Sequence, residues 1–178
     1  MLPEATRPTS TPNIPERLPD CAVRLLARQQ WFSDPGLFQR ARLASANHLA
    51  LWLSGPTFAR RSDIAAITLG HTIYFRTPRH FNPHSARGLS LLAHELKHVE
   101  QFEHSGPVRF HSSYLLAYLR HGYGDGIPQE AEAYALGHAV YAQIDKELRA
   151  NAGQPCCLGS LPGHQANPAF VLLPVKAW

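Results

Sequence analysis

His94, Glu95 and His98 are the residues of this 178-residue chain whose types and spacing could do chemistry. They form a His-Glu-x-x-His run inside Leu89–Gln101, read as Leu-Ser-Leu-Leu-Ala-His-Glu-Leu-Lys-His-Val-Glu-Gln. On a helix, residues four apart lie one above the other, so both imidazoles can grip one metal ion from the same side. The glutamate between them can then reach a water activated by that ion and act as general base. The expected cofactor is zinc. The expected reaction is hydrolysis of a peptide bond in a peptide or protein substrate, with Glu95 taking the proton.

The surrounding sequence can position such a site. Leu89, Leu92, Leu96 and Val99 recur at helical spacing and make one apolar face, with His94, His98 and Gln101 roughly opposite. Ser85 is placed to cap this helix, which is expected to run to about His104 and to end at Gly106-Pro107. A catalytic zinc keeps one position for water, so a third protein ligand is needed. Pro128 opens a last long helix over Gln129 to about Ala150, with Ala133, Leu136, Val140 and Ile144 as its apolar face. Glu130 and Glu132 lie in its first turns, about 200° apart around the axis, so only one can face the metal. Glu130 shares a face with Tyr134, Gly137 and Tyr141, whereas Glu132 shares one with Ala135, Gln143 and Lys146. The helical-face argument selects Glu130 as the third ligand; both glutamates could instead complement the positive helix N-terminus. His104 is the rival third ligand, although the longer spacing of metzincins is missing. Tyr123, Tyr134 and His138 are candidates for the donor that stabilises the oxyanion.

Further elements complete the domain. Asp20 can cap a helix to about Gln30, with Val23, Leu26 and Ala27 apolar. Asp34-Pro35-Gly36 turns into a second helix that buries Leu37, Phe38, Ala41, Ala44, Leu49 and Leu51. Ile64–Leu69 and Thr72–Arg76 read as two strands around Gly70-His71. Val108–His121 reads as a helix with Phe110, Tyr114, Leu115, Tyr118 and Leu119 at core spacing. The fold class is therefore α+β: a mostly helical single domain with a small β-sheet packed on the zinc-binding helix. Residues 1–19 form a Pro-rich leader, 20–150 the domain, and 151–178 an irregular tail in which Phe170–Leu173 reads as an edge strand.

Composition narrows the function classes. At 44 % hydrophobic the chain can build a core, and its net charge of +4 comes from scattered rather than clustered basic residues. No nucleic-acid partner is expected. No stretch approaches the roughly 18 apolar residues of a membrane span. No signal peptide is visible, so the expected location is cytoplasmic, or outside by a route that needs none. Cys21, Cys156 and Cys157 make no disulfide framework, and Cys21 reads as a small buried hydrophobe.

Thr68-Leu69-Gly70-His71-Thr72-Ile73-Tyr74-Phe75, followed by Leu91–Gln101, resembles the core metallopeptidase-like domain associated with bacterial extracellular contractile injection systems. Gly122-Tyr123 and Ile127–Ala133 are similar to the downstream glutamate segment of small gluzincins. The resemblance implies a minimal gluzincin fold: a small twisted sheet, a zinc helix and a glutamate helix. It also implies an association with a contractile injection system. Glu130 with Ala133 three residues on fits the gluzincin frame, whereas Tyr134 stands where an aspartate often supports a histidine ligand. A different class of function fits the same residues: a catalytically silent or latent zinc-binding accessory or interaction module.

Overall fold

The computed structural model describes residues 14–47, 64–121 and 126–150. Leu49, Leu51, Tyr123, Cys156, Cys157 and the expected strand Phe170–Leu173 lie outside the described residues, as does most of the leader. The architecture is α+β and mostly helical, with one three-stranded sheet.

Helix α1 spans Asp20–Ala27 and buries Ala22, Leu25 and Leu26. It is shorter than expected, and Pro19 rather than Asp20 takes the capping position, with no side-chain bond to the first turn. Val23 is half-buried and Ala27 exposed, so the apolar face is rotated from the one expected. Ahead of it, Ile14 and Leu18 are already part of the core.

The second helix departs most from expectation. Helix α2 covers only Leu37–Arg40, and Ala41 turns extended at φ −62°, ψ 139°. The chain then runs as strand β1, Arg42–Ser45. Buried Ala41 and Leu43 alternate with the less buried Arg42 and Ala44, a period of two inside what reads as a helical pattern. The deciding interaction is distant in sequence. β1 pairs in parallel with β3, Thr72–Phe75, in the register Arg42↔Thr72 to Ser45↔Phe75. Arg42 N–H donates to His71 O at 2.8 Å and Ala46 N–H to Phe75 O at 2.7 Å.

Strand β2, Ala66–Leu69, pairs antiparallel with β3, as expected for a hairpin around Gly70-His71. Gly70 sits at φ +61°, the left-handed region that a two-residue hairpin turn demands of its first residue. The strand order is β1-β3-β2. Ile73 and Phe75 of the central strand face inward and meet Leu43 and the apolar side of α3 in one core cluster.

Helix α3, Ala86–Ser105, is the axis of the molecule. The Ser85 hydroxyl accepts the Gly88 N–H at 3.0 Å, and Gly106 at φ +73° ends the helix, both as expected. Leu89, Leu92, Leu96 and Val99 are all at most 2 % exposed. Two further helices follow: α4, Pro107–His121, and α5, Pro128–Ala150. On α5, Ala133, Val140 and Ile144 are buried and Leu136 half-buried, the expected face. On α4, Phe110 is buried and Tyr114 and Tyr118 half-buried, but Leu115 and Leu119 are exposed, against expectation.

α3 and α5 approach closely because residue 137 is glycine. A Cβ there would stand 3.3 Å from both the backbone oxygen and the hydroxyl of Ser90, and the Ser90 hydroxyl donates to Gly137 O at 2.8 Å. This crossing carries the start of α5 over the histidines of α3.

Candidate metal centre

Three buried side chains converge between α3 and α5. His94, His98 and Glu130 each offer a donor atom, and these atoms all lie within 4.8 Å of one another. The two Nε2 atoms are 3.2 Å apart. His94 Nε2 lies 3.3 Å from Glu130 Oε2, and His98 Nε2 lies 3.5 Å from Glu130 Oε1. Donors at about 2.0–2.1 Å from a tetrahedral ion stand about 3.3 Å from each other. The two imidazole nitrogens and the Glu130 carboxylate therefore stand at spacings close to those of a four-coordinate site.

Two further observations fit a cation. Glu130 is 3 % exposed, and its Oε2 makes no hydrogen bond, with His94 Nε2 3.3 Å away. A buried carboxylate oxygen left in that state is costly unless a positive charge meets it. Charge is already drawn into the cluster. Burial works against a charged His98, but the Glu130 carboxylate beside it, then the charge of Glu95 and the Gln101 hydrogen bond, hold its pKa up at about 9. Burial likewise opposes ionisation of Glu130, but the two histidines outweigh it and drive its carboxyl well below the usual range.

Each candidate ligand is contacted from behind. Tyr114 of α4 donates its hydroxyl to Glu130 Oε1 at 2.8 Å, which leaves Oε2 for the ion. Burial, then the negative charge of Glu130, push the Tyr114 hydroxyl up, so it remains a donor at all ordinary pH. His98 Nδ1 lies 3.0 Å from Gln101 Oε1. The Tyr134 ring leans on the His94 ring with centroids 4.6 Å apart, so the residue in the aspartate position supports a ligand by packing. Glu95 is 4 % exposed, and the Thr68 hydroxyl on β2 lies 2.7 Å from Glu95 Oε2 and 3.1 Å from the Glu95 backbone oxygen.

The remaining candidates are elsewhere. Glu132 is exposed on α5 and lies outside the triad, where it accepts from Gln101 Nε2 at 2.9 Å. His104 sits at the exposed end of α3, 3.4 Å from the Ser33 hydroxyl. His138 is exposed one turn beyond Tyr134. Thr68 lies in the strand block of the resemblance with no task assigned to it there, and Tyr114 reads as a core aromatic. Gln101 stands three residues after His98 on the same face, a spacing that could have marked it.

Residues 56–106 match the eCIS core domain. The matched segment holds β2, β3 and all of α3, hence His94, Glu95 and His98, and it stops before Tyr114 and Glu130. It supports an association with extracellular contractile injection systems. No curated protein and no solved structure matches the chain. No helix among the described residues is long and apolar enough to cross a membrane.

Proposed function

We propose that the protein is a zinc-dependent metallopeptidase that hydrolyses peptide bonds with Glu95 as general base. The observation that carries this reading is the buried triad of His94, His98 and Glu130 at the donor separations of a single ion, beside a buried glutamate. When bound, zinc supplies a Lewis acid for the scissile carbonyl and a nucleophilic water at neutral pH.

The chain's own residues do the rest. His94 Nε2, His98 Nε2 and Glu130 Oε2 hold the ion. Glu95 takes the proton of the attacking water and returns it to the leaving amine. The Thr68 hydroxyl holds Oε2 of Glu95 in place, which leaves Oε1 for proton transfer. β2 is an edge strand among the described residues. Arg76 N–H donates to Ala65 O, so the pairs bonded across the hairpin are 65–76, 67–74 and 69–72. The backbone groups of Ala66 and Thr68 therefore face away from β3, and an extended peptide can add there as a further strand. The same strand then carries both the substrate and the hydroxyl that holds the base.

The test is cleavage of a diverse peptide mixture by zinc-loaded protein, read by mass spectrometry beside Glu95→Gln. The wild type should cut. The variant should bind one equivalent of zinc and lose about 100-fold or more of the rate. Zinc binding without cuts in either protein would replace the peptidase reading with that of a silent or latent zinc module.

A further inference from the structure

We propose that Gln101 is the positioning residue that presents His98 to the metal, in the place that a carboxylate takes in other zinc centres. The inference rests on the metal-centre reading above and adds the residue that sets the chemical state of one ligand.

The argument turns on which way the Gln101 amide points. Its side chain is buried, 8 % exposed, and has three polar neighbours. Oε1 lies 3.0 Å from His98 Nδ1. Nε2 lies 3.0 Å from the backbone oxygen of Gln129 and 2.9 Å from Glu132 Oε2. An amide has one end that only donates and one that only accepts. The neighbours on the Nε2 side, a carbonyl and a carboxylate, only accept. The reversed amide would set its oxygen against both of them. The orientation is therefore dictated by α5, and Oε1 must face the imidazole.

The imidazole then has no choice either. A nitrogen facing a pure acceptor must carry hydrogen, so Nδ1 is the protonated position of the neutral ring and Nε2 keeps its lone pair. Nε2 is the nitrogen that faces His94 and Glu130 in the triad. The chain of constraint runs from Gln129 O and Glu132 on α5, through Gln101, to the lone pair that binds the ion. It also gives the paired glutamates of α5 separate tasks. Glu130 enters the site, and Glu132, two residues on, anchors the amide that orients His98. A neutral amide does this without placing a second negative charge beside Glu132.

The experiment compares full-length wild type, Gln101→Leu and Gln101→Glu. Zinc affinity is measured by chelator competition, and the His98 Nδ1 hydrogen is followed by NMR in the zinc-loaded protein. The wild type should show a slowly exchanging Nδ1 hydrogen. Gln101→Leu should bind zinc about 10–100-fold more weakly and lose that signal to exchange with water. Gln101→Glu keeps an acceptor for Nδ1 but gives up both donor contacts to α5 and sets a second carboxylate against Glu132, so it should keep the Nδ1 hydrogen and bind zinc more weakly than wild type but clearly more tightly than Gln101→Leu. Leucine binding as tightly as wild type would overturn the proposal. So would glutamate falling as far as leucine, because Gln101 would then be only a tie between helices. If Gln101→Leu does not fold, the glutamate variant alone decides, by keeping or losing the Nδ1 hydrogen. A wild type that takes up no zinc would overturn the metal-centre reading and this inference together, and that arm is read independently of the variants.

Discussion

Helices α3 and α4 meet at Gly106 and both carry apolar residues at helical spacing, but they end in opposite environments. α3 is buried nearly all round its middle: Leu89, Leu92, Leu96 and Val99 face the sheet and α1, while His94, Glu95, His98 and Gln101 are also removed from water. α4 turns Val108 (82 % exposed), Leu115 (57 %), Leu116 (51 %) and Leu119 (72 %) outward. Periodicity shows that a helix has an apolar face; it does not say what covers it. The difference also shows why the polar side of α3 can be buried. Glu95 is met by Thr68 of β2, His94 and His98 by Glu130 of α5, and Gln101 by the Gln129 backbone oxygen of α5.

The contrast can be broken or sharpened in order of expected effect. Leu96 is fully buried in the core, so Leu96→Ala should cost about 2–5 kcal/mol by chemical denaturation. A cost below 1 kcal/mol would show that the apolar side of α3 is not the core described.

The polar side of α3 should respond to pH instead. His98 is raised above the ordinary histidine value, so its pairing with Glu130 stabilises the metal-free fold below about pH 6.5, and this is lost as pH rises through about 9. Glu130 is lowered, so its share is present above about pH 4.5 and is lost on acidification. Zinc binding at the proposed centre would have to displace the His98 proton. The zinc affinity should therefore rise about tenfold per pH unit from pH 6 to 8, with one proton released, as read by calorimetry in buffers of different ionisation heat. A pH-independent affinity would remove the His98–Glu130 pairing from the metal-free protein.

The smallest effect belongs to α4. Leu115→Ser should shift stability by no more than about 0.5 kcal/mol. A loss comparable to that of Leu96→Ala would mean that this face is covered in solution.

Much of the site was legible because it is local. His94, Glu95 and His98 lie within one helical segment, Ser85 and Gly106 mark its ends, and Gly70 marks the hairpin turn. Glu130 was separable from Glu132 because the two faces of a helix follow from its pitch alone. The gathering of His94, His98 and Glu130 then needed the close crossing at Gly137.

What escaped depends on residues far apart. Arg42–Ser45 reads as helix, since neither its alternation nor its propensity outweighs a helical neighbourhood over four residues; pairing with β3 makes it a strand. Tyr114 reads as core until α4 is docked, and Thr68 has no visible task until β2 lies over Glu95. The sequence by itself determined the local helix and hairpin signals and which donors could face one another, because those follow from helical pitch, capping and turn geometry. Only the tertiary structure decided which polar groups orient those donors, because hydrogen bonds between distant segments depend on docking that no local pattern encodes.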